Sequence, residues 1–482
     1  MRTAVLLSAA CTAYLLHVIY AVFVSRHLFG DASWFLLKML SENHVAHWYT
    51  DYRDFYVGRY GAFVFQDYPT LFLSRLGITS LATLSAIYGV TLFAFKPLSL
   101  VLCYRFSKDK RAVVFPLLTL FAGSINSEAY IVSETHLFVA LFWPALIILL
   151  DADSISGTTL ATLAVLSAPL ILCYESMAVY GVILAAACLF RSRGVGRPKG
   201  ELVACWILCG WYLLGVVCAL LSILNPRDPV NRSGFLKGIF LLLRYGNVAA
   251  WVSWILLGVV AVVLLARIRR NKELRRLVAL SAALASLILL QILAFPAQTS
   301  FGFQFMARSM NVIVPLLVVP LYLLWHFGRL KIDPVQFRAV FAITACLGIS
   351  QGAWNVLAST QWSNMLTLMR TEVRSSSGAI PLERSVMFRR SVGGAPIRRL
   401  NGDWPLLPLS IILADAGDVR AMIDPGPKPF RPFDPYIADS LPALQRYGVH
   451  YDRYLQALRM SERANESKAQ PEPKRNASNG SH

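Results

Sequence analysis

The chain has 482 residues, 56% of them hydrophobic and only 15% charged, with a mean hydropathy of +0.53. That composition excludes an ordinary soluble protein of this length and indicates a chain that crosses a membrane many times. The formal charge of +19 and pI near 9.8 do not point to nucleic acid as a partner. Lys and Arg gather in short clusters between apolar runs, where the positive-inside rule places them.

The first apolar run, about residues 3 to 24, is long enough to span and is not followed by a small-x-small cleavage site. It reads as a retained first span rather than a signal peptide. The stretch "HLFGDASWFLLKM" follows and sets Asp31 about one helical turn beyond the outer end of that span. After the acid come Trp34, Phe35, Leu37, Met39 and Leu40 with Lys38 and Glu42. This mostly apolar helical pattern predicts a helix lying on the membrane surface. Asp31 also fits a helix N-cap.

The rest of the first outer loop, residues 25 to 79, is aromatic. The segment "HWYTDYRDFYVGRYGAFVFQDYP" carries Tyr60 and eight other rings among Arg53, Arg59 and carboxylates. Aromatic faces beside carboxylates suit sugar binding, and they equally suit an interfacial belt. His44 and His47 have the i, i+3 spacing that turns two imidazoles toward one metal. No third ligand stands beside them, so no metal site and no cofactor is assigned, with a divalent ion left open.

Further spans fall near residues 80–103, 202–224, 248–266, 276–296, 309–325 and 338–356. Regions 112–150 and 158–190 are each too long for one span and are interrupted by polar residues, so each reads as a helical hairpin. The total is about eleven spans. With the N-terminus inside, the clusters "RFSKDKR", "RSRGVGRPK", "RIRRNKELRR" and "GRLK" all fall in short inner loops, and only the loop at residues 151–159 lacks a cation. All eight cysteines (Cys11, Cys103, Cys173, Cys188, Cys205, Cys209, Cys218 and Cys346) lie in apolar runs, so no disulfide or Cys-based zinc site is implied.

The outer hairpin tip "NSEAYIVSETH" supplies Glu128, Glu134 and His136, and the next tip supplies Glu175. Acids this close to hydrocarbon are costly unless paired or lining water. On the same side lie Arg53, Arg59, Arg244 in "FLLLRYGN" and Arg308 in "FQFMARSMN", the last standing against the positive-inside trend. Each suits an anionic phosphate or, alternatively, snorkelling to headgroups. Residues 1–356 thus form a transmembrane domain. Residues 357–460, where prolines concentrate, read as a small extracytoplasmic α/β domain, and 461–482 as a disordered tail.

A first span, an acid just outside it, the motif-like "GDASWFLLKM", an interfacial helix, a long first outer loop and about ten more spans resemble the GT-C superfamily of membrane glycosyltransferases. The resemblance covers roughly residues 1–355 as architecture. It implies an all-α polytopic enzyme of the plasma (bacterial inner) membrane, with its active face and C-terminus extracytoplasmic. It also implies a polyprenyl-phosphate-linked sugar as donor and a glycan, lipid or protein as acceptor. Asp31 would be the catalytic base and Glu134 or Glu128 a second acidic site. Three other classes stay open from the residues alone. They are a transporter or flippase of lipid-linked saccharides, which needs charges deep in the spans such as His17 and Lys96, a polymerase or ligase, and an assembly scaffold. No internal repeat supports an inverted-repeat transporter.

Overall fold

Apolar runs that cannot leave their backbone groups unbonded in hydrocarbon must coil into helices, and helix dominates the chain. A computed structural model describes residues 2–29, 32–45, 60–123, 134–194, 196–224, 302–330, 332, 334–386, 406–414, 417–424, 442–457 and 460. The helices are α1 (Arg2–Phe23), α2 (Ala32–Glu42), α3 (Tyr60–Gln66), α4 (Tyr68–Arg75), α5 (Leu81–Phe93), α6 (Phe95–Phe106), α7 (Val114–Gly123) and α8 (Glu134–Asp151). They continue as α9 (Gly157–Leu170), α10 (Met177–Ser192), α11 (Lys199–Leu224), α12 (Gly302–His326), α13 (Pro334–Ser375) and α14 (Leu406–Ile412). Strands β1 (Gly378–Pro381) and β2 (Ala421–Asp424) pair in parallel, Gly378 opposite Ala421, as the one sheet among the described residues.

Two helical segments among the described residues are long and apolar enough to cross a membrane, Leu81–Phe106 and Lys199–Leu224. Regions 112–150 and 158–190 each divide into two helices, α7 with α8 and α9 with α10. The runs expected at 248–266 and 276–296 lie outside the described residues, as does the tail from 461. The boundary expected at residue 356 falls inside α13, which continues unbroken to Ser375.

The main core lies where α8 is surrounded by α6, α9, α10 and α12. Its centre is aromatic: Trp143, Tyr180, Tyr322, Phe138 and Phe142 are all fully buried. Tyr180 donates to the Val312 carbonyl of α12, so a buried hydroxyl ties two helices. α3 closes on the α9–α10 turn, with Gly61 N–H donating to Leu172 O at 3.0 Å. A β-carbon at Gly61 would stand 2.1 Å from Pro169 O, so only glycine permits this approach.

The segments at the ends of α6, α8, α10 and α12 are joined by charge. Lys108 pairs with Asp153 at 3.0 Å, Arg197 donates to the Asp153 carbonyl at 2.6 Å, and Asp151 meets His326 at 3.0 Å. The loop that lacks a cation is therefore where its neighbours' cations are neutralised. Deeper, Glu201 accepts from Arg191 (2.7 Å), Arg197 (3.2 Å) and Ile155 N–H (3.3 Å), with Arg191 and Glu201 both almost fully buried. Beside them, burial works to raise the Asp109 carboxyl, but hydrogen bonds and charge from Arg111 outweigh it and hold the group below the usual carboxylate range.

A second core joins α2 and the residues that follow it to the C-terminal residues. Leu36, Leu40 and Leu71 share it with Trp362, Met369, Leu406, Leu409, Ile423 and Val449. This corrects one expectation. α2 forms where the pattern predicts, but it does not lay an apolar face on lipid, because it is buried on most sides and packed against α14. Its apolar residues are covered by protein from the other end of the chain.

Candidate functional site

Asp31 lies outside the described residues, as do Arg53, Arg59, Glu128 and Arg244. Glu134 and Arg308 occupy helical positions at the first turn of α8 and the outer part of α12. α2 begins at Ala32, directly after Asp31, and Leu28, Phe29, Ala32 and Ser33 are all buried.

Just before α2, Arg26 is 2% exposed and lies over two rings, 4.2 Å from the Phe29 centroid and 5.4 Å from that of Trp362. Trp362 in turn donates to Ser25 O at 2.9 Å, so the far half of α13 fixes this turn. His27 is buried, with Nε2 2.8 Å from Ser85 Oγ and its ring against Gly89, where a β-carbon would stand 2.6 Å from Nδ1. Burial pushes the His27 imidazole down to about 3, so it stays neutral and Arg26 supplies the permanent charge of the pair.

Below this turn, inside the bundle, stands Lys96. It follows the break between α5 and α6 at Ala94, precedes Pro97, and is 6% exposed. Its ammonium lies 5.8 Å from the Tyr14 ring, Tyr14 meets the His17 ring at 5.8 Å, and Asn355 of α13 reaches His17 Nε2 at 3.5 Å. Arg26 stands five residues ahead of Asp31 and His136 two beyond Glu134, and between the helices Lys96, Tyr14, His17 and Asn355 form one polar chain.

A second polar feature lies at the outer end. Trp34, Phe35, Lys38 and Met39 of α2, with His44, Val45, Phe63 and Asp67, line a narrow cleft with room for about one water molecule. Phe35 and Phe63 meet edge to face at 4.9 Å. Lys38 pairs with Glu42, and Asp67 is 3% exposed. Tyr60 does not join the cleft: it opens α3 with 43% of its surface exposed. Asp67 was not singled out by the sequence reading, although an acid between "AFVFQ" and "YP" is as anomalous as Asp31 among its own aromatic neighbours. Lys96 was read only as a deep charge, since nothing in sequence shows that Tyr14 lies beside it and meets His17. Among the described residues no three His, Cys, Asp or Glu side chains gather as a metal site. His44 lines the cleft, and His47 lies outside the described residues.

Comparison with known proteins returns no match: no family model, no curated protein and no solved structure is significantly similar to this chain.

Proposed function

We propose that the chain is an integral-membrane glycosyltransferase with about eleven spans, moving a sugar from a polyprenyl-phosphate donor to an extracytoplasmic acceptor. The observation that carries the reading is the pair of buried basic side chains Arg26 and Lys96, Arg26 over the Phe29 ring five residues ahead of Asp31 and Lys96 beside Tyr14, whose ring meets His17. Buried basic groups inside a span are costly and mark a functional site. A departing lipid phosphate is the anion that such a pair stabilises, and an adjacent carboxylate is the base that an attacking hydroxyl requires. Purified protein in bilayers, incubated with a panel of radiolabelled polyprenyl-phosphate sugars and acceptor membranes, is expected to transfer label. Lys96→Met is expected to weaken donor binding roughly 10- to 100-fold, the worth of one charge-assisted hydrogen bond. Unchanged donor affinity in Lys96→Met removes the pair from the site.

The depth of Lys96 also favours a second reading, a transporter of lipid-linked saccharides. Flipping of the labelled lipid in proteoliposomes without label transfer selects it.

Both readings require the Asp31 end of the bundle to face outward. A cysteine replacing Ser377 in the C-terminal region is expected to react with an impermeant thiol reagent in intact cells. One replacing Ser154, beside the Asp153 ion pair, is expected to react only after permeabilisation. Equal labelling of the two positions overturns the topology.

A further inference from the structure

α4 has the sequence YPTLFLSR and two contrasting faces. Thr70, Leu71 and Ser74 are buried against α5 and the C-terminal Tyr447. Tyr68, Phe72 and Leu76 are 43%, 47% and 65% exposed. Spaced four residues apart, they form one stripe along the helix and its end, and the Tyr68 and Phe72 rings stack with centroids 6.2 Å apart. Arg75 is turned off this stripe by two hydrogen bonds to Asn43, Nε to Oδ1 at 3.0 Å and Nη2 to the carbonyl at 2.7 Å. The stripe runs directly into the candidate span Leu81–Phe106, whose own outward Val90 is 48% exposed. It is therefore continuous with the surface that the span presents to its surroundings. A short helix with an aromatic apolar stripe, a tyrosine and a retained arginine at the mouth of a span is built for the lipid–water boundary.

We propose that α4 lies in the outer lipid–water boundary with Tyr68, Phe72 and Leu76 immersed. The proposal rests on the membrane reading of the chain and not on sugar transfer. The test uses the full chain in bilayers containing phospholipid with tritiated acyl chains. The photoreactive residue benzoylphenylalanine replaces Phe72, Val217 midway along α11, or Thr371 on the exposed side of α13. Aromatic replaces aromatic at the exposed position 72, and Leu76 serves as a second site on the same stripe. Lipid crosslinking is expected at 72 and 76 in yield comparable with 217, and absent at 371. Crosslinking at 217 with none at 72 and 76 overturns the proposal and leaves the membrane reading standing. Absence at 217 as well overturns both.

Discussion

Replacing Asp31 with asparagine is expected to lower sugar transfer by roughly 10² or more, with protein yield, monodispersity and donor binding retained. The substitution separates the two roles that the residue can hold. Asparagine caps a helix about as well as aspartate, and α2 begins at Ala32 directly after it, so a capping role alone leaves turnover near normal. Asparagine cannot accept a proton, so a base role removes it. Near-normal turnover in purified Asp31→Asn ends the assignment and moves the search to Glu134.

Glu201→Gln is expected to destabilise the folded protein by about 3–5 kcal/mol, the cost of leaving a buried charge without its partner. Glu201 holds three inner segments at once through Arg191, Arg197 and the Ile155 N–H. Glutamine keeps the shape and one acceptor oxygen, so what it removes is the charge facing Arg191, which also donates to Leu149 O at 3.0 Å. The loss is read as a lower unfolding midpoint in detergent and as faster proteolysis between α10 and α11. Adding Arg191→Met to Glu201→Leu is expected to recover part of the loss, since two apolar groups leave neither charge stranded. A midpoint unchanged in Glu201→Gln assigns no role in stability to the pair.

Helices were legible from the apolar runs, and the division of residues 158–190 into two helices was legible because the polar break at Tyr174 to Ser176 interrupts a run too long for one. The cationless loop at Asp151 was legible only as an anomaly. Its meaning depends on Lys108, Arg197 and His326 arriving from three other loops. Side-chain periodicity showed that α2 has an apolar pattern, but periodicity does not say what will cover it. α14 does so from the far end of the sequence, and the weaker stripe of α4 is the one left open. The polar chain was illegible for the same reason. Lys96, His17 and Asn355 belong to three helices, and only their packing links them, Lys96 to the Tyr14 ring, Tyr14 to His17 and His17 to Asn355.

The shared core of α2 and the C-terminal residues imposes an order on synthesis. Leu36 and Leu40 are made early, whereas Leu406, Leu409 and Ile423 follow only near the end of synthesis. Until then the apolar surface of α2 stays uncovered, a state prone to wrong association. Chains that stop before Leu406 never complete that core, and their fate is decided by quality control rather than by loss of a peripheral tail.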